Sequence, residues 1–165
     1  MSIARVTRHL LGNRARVRRA FPAESLAKIE AAIAASEATH AGQIRVVIEG
    51  ALDGEPLFSQ QTAKARALDV FALQRVWDTE HNNGVLIYLL LADRDVEIVA
   101  DRGIHSHVGH DGWETICRAM EQAFARGDYE TGVLSGIDAV TRHLATHFPK
   151  NDGGGNELPD DVVVI

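Results

Sequence analysis

Three histidines, two aspartates and three glycines fall within fourteen residues, ADRGIHSHVGHDGW, from Ala100 to Trp113. The whole chain has eight histidines, so His105, His107 and His110 concentrate imidazole beside the carboxylates of Asp101 and Asp111. Neutral imidazoles suit zinc, nickel, iron or copper, whereas carboxylates suit calcium, magnesium or manganese. A mixed set of this kind is the composition of a divalent-cation site, although no fixed zinc spacing is present. In an extended loop His105 and His107 would share a face, since alternate residues point the same way. Ser106, between them, could serve as a nucleophile with a histidine base. No nucleophile elbow, P-loop, dinucleotide fingerprint or CxxC pair occurs elsewhere. The single cysteine, Cys117, excludes an internal disulfide.

Hydrophobic periodicity supplies the elements that position this segment. Residues 3–19 form a short basic helix weakened by Gly12 and Asn13. Pro22 opens a second helix through residues 23–40, with Leu26, Ile29, Ile33 and Ala34 on one stripe. QIRVVIE (43–49) alternates as a strand with one face on a core, Arg45 and Glu49 outward. A loop leads to a helix from about Thr62 to Asp78, with Leu68, Phe71, Ala72 and Val76 inward. GVLIYLLLA (84–92) is apolar on both faces and reads as a central strand. DVEIVAD (95–101) follows so closely that the two must form an antiparallel hairpin turning at Asp93-Arg94. Pairs then sum to about 187, with Asp101 opposite Leu86 and Gly103 opposite Gly84. Asp111 and Glu114 form a capping box for a helix that buries Trp113, Ile116, Cys117, Met120 and Phe124. A last helix spans about Tyr129 to His147.

The order α, α, β, α, β, β, α, α gives an α/β fold, a three-layer α/β/α sandwich around a small mixed sheet. Strand 43–49 should run parallel to strand 84–92. The organisation is a basic N-terminal arm (1–21), one domain (22–149) and a flexible C-terminal tail (150–165). Hairpin geometry brings the loop WDTEHNNG (77–84) beside the segment from Asp101. Asp78, Glu80, His81, Asn82 and Asn83 thus meet Asp101, His105, His107 and His110 at one end of the sheet. Glu49, Asp53, Glu55, Asp93 and Asp95 gather at the other end as a solvated rim.

The formal net charge is -6, but six arginines and no acid lie in the first nineteen residues. The remainder carries 23 acidic residues against eleven basic ones. An acidic body of this kind excludes nucleic acid as a partner and suits cations. The basic arm allows at most peripheral membrane contact and is expected to dock on the body. The longest apolar run, Val85 to Ala92, is far short of the ~20 residues that span a bilayer. The start of the chain lacks a signal-peptide core, so a cytoplasmic location is expected.

Two stretches, NNGVLIYLLLADRDVEIVADRGI and FARGDYETGVLSGIDAV, together resemble the TPM domain family, named after a thylakoid lumen protein, a photosystem repair protein and an acetylcholine-receptor modulator. The shared pieces are Asn82-Asn83-Gly84-Val85-Leu86, Asp93-Arg94, Gly103, and Gly127-Asp128-Tyr129 with Gly132, within about Pro22 to Phe148. The resemblance implies an α/β/α sandwich with an acidic cleft. It also implies divalent-cation binding, calcium above all, acid phosphatase activity in some relatives, and membrane-protein assembly or repair in others. Relatives commonly carry Asp-Asn or Asp-Asp where Asn82 and Asn83 stand. Asp101-Arg102-Gly103 replaces a Gly-x-Gly, and His105 aligns with an acidic residue, which moves the preference toward zinc.

The expected cation ligands are Asp78, Glu80, Asp101, His105 and His107. Asn82, Asn83, Arg102, His81 and His110 complete the ligand-binding set, with Arg102 able to steady a phosphate. The expected function is a non-catalytic interaction module that binds calcium or zinc and an unidentified protein partner. The alternative is a metal-dependent phosphatase or other hydrolase.

Overall fold

The computed structural model describes residues 2–12, 14–150 and 155–165. Its elements are α1 (Ile3–Leu10), α2 (Arg14–Ala20), α3 (Ala23–Glu37), β1 (Gln43–Glu49), α4 (Gly54–Phe58), α5 (Ala63–Leu73), β2 (Gly84–Leu90), β3 (Asp95–Ala100), α6 (Arg102–Ala125), α7 (Tyr129–His147) and β4 (Val163–Val164). The sheet order is β3-β2-β1-β4. β1 runs parallel to β2 and β4, and β3 is antiparallel to β2, so the sheet is mixed as expected.

β1 and β2 are buried along their whole length because helices cover both faces. On one face Ile44, Val46, Ile48, Val85, Ile87 and Leu89 pack against α3, α6 and α7. On the other, Val47, Leu86, Tyr88 and Leu90 meet Leu57 of α4 and Ala63, Ala67 and Val70 of α5. This is the α/β/α sandwich.

Burial corrects the sequence reading of β1. Arg45 and Glu49, expected to face solvent, are only 7% and 5% exposed. Glu49 takes a bidentate pair from Arg66 (2.9 and 3.0 Å) and the Tyr88 hydroxyl (2.6 Å). A buried carboxylate is tolerated only with such partners. Helix α5 turns a different face inward than its large residues suggested. Ala63, Ala67 and Val70 are buried, while Leu68 and Ala72 stay exposed. Small residues at that spacing let the helix lie close to the sheet.

The hairpin register differs by two residues from the expected one. Leu86 pairs with Val99 and Leu90 with Asp95. The N–H groups of Leu91 and Ala92 bond instead to Glu49 and Gly50, so the end of the strand is drawn toward β1 and the turn takes four residues. A two-residue slip preserves the faces, because side chains alternate with period two.

Both termini dock. The N-terminal segment is two helices that break at Gly12; Asn13 lies outside the described residues. Arg5 and Arg8 each reach Asp93 at 2.9 Å, and His9 lies 3.1 Å from the same carboxylate. His9 Nδ1 accepts the Leu52 N–H at 2.9 Å. Asp93, expected in a solvated rim, therefore anchors the arm. The end of the chain, expected to be a flexible tail, supplies β4 at residues 163–164. Ile165 donates to the Ile48 carbonyl (2.9 Å), and the Arg45 guanidinium holds the Pro159 and Asp161 carbonyls (2.7 and 3.0 Å). Residues 151–154 lie outside the described residues.

Candidate functional site

The histidine-rich segment is helical from Arg102 onward. Asp101, not Asp111, is the N-cap: its Oδ1 accepts the Arg102 N–H at 2.7 Å, and α6 runs from Arg102. Ile104 and Val108, one turn apart, pack on the core and hold this first part of the helix down. Gly109 then takes a left-handed, non-helical conformation (φ 73°, ψ 170°) that breaks α6 before it continues through Asp111. A side chain would strain that backbone, which explains a glycine there.

The helix disperses the histidines. Two residues apart, His105 and His107 point about 200° away from each other around the axis. The Trp113 indole N–H donates to His105 Nδ1 at 3.2 Å. His107 instead stacks on His147 of α7, with ring centroids 4.3 Å apart and an interplanar angle of 11°. His110 lies beyond the break, 3.6 Å from Glu114. His110, Asp111 and Glu114 are the one group of three or more His, Cys, Asp or Glu side chains among the described residues whose possible ligand atoms lie close enough for a single ion. His110 and Asp111 are exposed.

The loop ahead of β2 and the start of α6 do meet. Asp101 donates its N–H to the Gly84 carbonyl (2.9 Å), and Ile104 donates to the Asn82 carbonyl (3.3 Å). Asn82 is left-handed (φ 51°), which turns its carbonyl toward α6. A Cβ on Gly103 would collide with the carbonyl oxygens of Asn82 and His81, so the first turn of the helix fits under the loop only with glycine there. Asn83 is fully buried. Its N–H donates to Thr79 Oγ1 (3.1 Å) and its side-chain amide to the Ala41 carbonyl (3.2 Å).

Two oxygens at this end of the sheet are conspicuous. Asp101 Oδ2 and Asn83 Oδ1 are both buried without a hydrogen-bond partner among the described residues. A buried acceptor left unpaired costs roughly 1–3 kcal/mol, more for a charged group. Oxygen atoms of a carboxylate and an amide are donors that a hard cation prefers. The other expected ligands lie further out. Asp78 is exposed and paired with Arg75 at 2.5 Å. Glu80 and His81 are exposed, 4.0 Å apart, and the Glu80 N–H bonds the Glu157 carboxylate (2.9 Å). Arg102 is exposed.

The nucleophile candidates are occupied. Ser106 Oγ donates to the Gly103 carbonyl at 2.9 Å, within its own helix. Cys117 is buried, and that burial pushes its thiol up to about 12, so no thiolate forms near neutral pH.

Sequence reasoning missed a second polar group. Glu37 and His40 are buried near the end of α3, where Ser36 Oγ lies 2.7 Å from His40 Nε2 and 2.6 Å from Thr141 Oγ1. The signal was available: Ser36 and Glu37 continue the buried stripe of Ser25, Ile29 and Ile33 at helical spacing. Glu37 bonds the Ile44 N–H (2.9 Å) and so fixes α3 to the first residues of β1.

No helix among the described residues is long and apolar enough to cross a membrane. Comparison with curated proteins finds no match. The chain is similar to the solution structure of the BA42 protein from the psychrophilic bacterium Bizionia argentinensis, with 31% identity and a TM-score of 0.75. The alignment covers 88% of this chain and 95% of that one. It shares its fold with the N-terminal domain of a protein from P. gingivalis, at 21% identity and a TM-score of 0.58, over 73% of this chain and 76% of that one. The family model for the TPM domain matches residues 18–143. With that match over most of its length and the same sandwich in its relatives, the chain belongs to the TPM domain family.

Proposed function

We propose that this TPM domain is a non-catalytic binding module whose ligand is a hard divalent cation, calcium above zinc, held where the loop before β2 meets the start of α6. The observation that carries the reading is the Asp101 carboxylate, with one oxygen buried and unpaired beside the hydrogen bond from Asp101 to Gly84. The buried, unpaired Asn83 Oδ1 at the same end of the sheet supports it. Oxygen donors favour calcium, and the histidines that would favour zinc are engaged with Trp113 and His147 instead. A bound cation would brace the 77–84 loop against α6 and present that surface to a protein partner. The membrane-protein assembly or repair implied by the family resemblance is a fitting context. The N-terminal arm suits at most a peripheral contact with an anionic membrane. Arg5 and Arg8 are already committed to Asp93, while Ile3 and Leu10 of α1 and Leu11 just after it are exposed.

Calorimetric titration of calcium and zinc at pH 7.5 and 5.5 tests this. Carboxylate ligands stay charged at pH 5.5, whereas imidazoles protonate below about pH 6.5. Calcium binding should persist at pH 5.5, survive His105→Ala/His107→Ala, and be lost in Asp101→Asn. Binding unchanged in Asp101→Asn, or no calcium binding at either pH, would overturn the reading.

A further inference from the structure

We propose that the groove along the free edge of β3 binds an extended basic segment of a partner protein, which adds to the sheet as a fifth strand. β3 stands at the end of the sheet order and pairs with β2 alone. Antiparallel pairing turns alternate residues toward and away from the neighbouring strand. Asp101 faces β2 through its bond to Gly84, so Val96, Ile98 and Ala100 turn their main-chain groups outward. The Val96 N–H bears this out, since it donates to Glu121 Oε1 of α6 at 3.2 Å. The Ile98 amide meets the Cys117 sulfur. Single side chains, not a strand, thus attend this edge.

The edge opens into a groove of about 580 Å³ between α5 and α6. That lies within the ~300–1,000 Å³ of pockets that bind ligands. Lys64 and Leu68 form one wall; Trp113, Glu114 and Glu121 stand on the other. Leu68 is 53% exposed, an apolar side chain left uncovered beside the strand. An edge without a neighbouring strand and flanked by helices is the setting in which an extended peptide adds a strand: its main chain would take over the Val96 and Ile98 groups from Glu121 and Cys117, and side-chain pockets would supply specificity.

Charge selects the occupant. Asp95, Glu97, Glu114 and Glu121 line the groove against Lys64 and Arg118. Burial raises the Asp95 carboxyl to about 6, with the charges of Glu121 and Asp93 adding to the rise. Burial likewise raises Glu97, and Asp95 beside it adds further. Basic neighbours would relieve both. Asp95 and Glu97 are two residues apart on one strand, about 7 Å, which is the spacing between alternate side chains of a facing strand. Among the described residues these carboxylates do not converge on one point as a metal site would. The acids also guard the edge: they repel acidic strands, and a neutral strand would desolvate them without compensation, which limits indiscriminate pairing. The chain's own arginine-rich arm is not the occupant, because α2 is helical and Arg5 and Arg8 are held at Asp93.

The test is a ¹⁵N–¹H NMR titration of the full chain with the blocked hexapeptide acetyl-Arg-Val-Arg-Val-Arg-Val-amide, with and without calcium. Shifts should centre on residues 95–100 and the facing turns of α5 and α6, and affinity should fall as salt rises. The Glu-Val counterpart should not bind. Methylating the alternate peptide nitrogens that face β3 should weaken binding at least tenfold. Asp95→Asn/Glu97→Gln, which preserves side-chain volume, should weaken it about fivefold without lowering the melting temperature, since both carboxylates are disfavoured by burial. Equal binding of the N-methylated peptide would overturn strand addition. No shifts at millimolar peptide, or shifts centred on the 77–84 loop, would overturn the site. Self-association of the chain through residues 95–100 would place a second copy there and overturn the proposed partner.

Discussion

Replacing Glu37 with glutamine should free the protein from a loss of stability as pH rises from about 4.5 to about 8. Glu37 ends α3 with its side chain buried, 7% exposed. One carboxyl oxygen accepts the Ile44 N–H at 2.9 Å, and the other is buried without a hydrogen-bond partner. Burial pushes this carboxyl up to about 8; the Ile44 bond opposes the rise, Asp160 adds to it, and Lys150 opposes it. A pKa raised on folding means that the folded state holds the proton more tightly. The associated stability is complete below the unfolded value of 4.5 and is lost as pH climbs through about 8. At ~1.36 kcal/mol per unit, this rise limits the loss to about 5 kcal/mol. Local relaxation and water entry reduce it, so roughly 2–3 kcal/mol is expected between pH 5 and pH 9. Glutamine keeps an acceptor for Ile44 and has no charge to desolvate. Urea unfolding of both proteins at each pH, followed by circular dichroism, gives the difference curve. His40, held down near 4 mainly by burial, is present in both proteins and drops out of that difference. The two should be nearly equal at pH 5, with the variant ahead by that margin at pH 9. Parallel curves, or a wild type that gains on the variant as pH rises, would refute the reasoning.

Two further outcomes are expected. Asp93→Ala removes the shared partner of Arg5, Arg8 and His9 and should cost about 1–3 kcal/mol in urea unfolding, with faster trypsin cleavage within residues 5–19. Burial raises the Asp93 carboxyl, but bonds from Arg8, Arg5 and His9 outweigh it and hold it below its ordinary value of 3.8. The arm's contribution should therefore be present above that value and fade as pH falls below it; an unchanged cleavage rate would show that Asp93 does not hold the arm. Gly103→Ala should force the His81 and Asn82 carbonyls off α6, cost about 1–3 kcal/mol and weaken calcium binding at least tenfold; undiminished calorimetric affinity would separate that contact from the cation site.

The sequence by itself determined the elements whose burial is written in local periodicity. The doubly apolar run at 84–90 had to be a central strand, and the β-branched run after it had to return as a hairpin. α7 ran from Tyr129 to His147, as its spacing said. The ordered Asn-Asn-Gly-Val-Leu, Asp-Arg and Gly-Asp-Tyr pieces were enough to point to the family. Contacts between distant residues decided the rest. Beyond the Asp101 cap, nothing local makes a helix of Arg102–Val108, with a glycine and two histidines. It forms because Asp101 caps it, Ile104 and Val108 reach the core, and Gly103 fits beneath the Asn82 carbonyl. That helix turned one loop of histidines into separate contacts with Trp113 and His147, and so left the oxygens of Asp101 and Asn83 as the candidate site. The last residues read as a tail because a two-residue strand has no periodicity to detect. They become β4 because Ile48 and Gly50, at the edge of β1, have main-chain groups that must be paired, and Ile165 pairs with both.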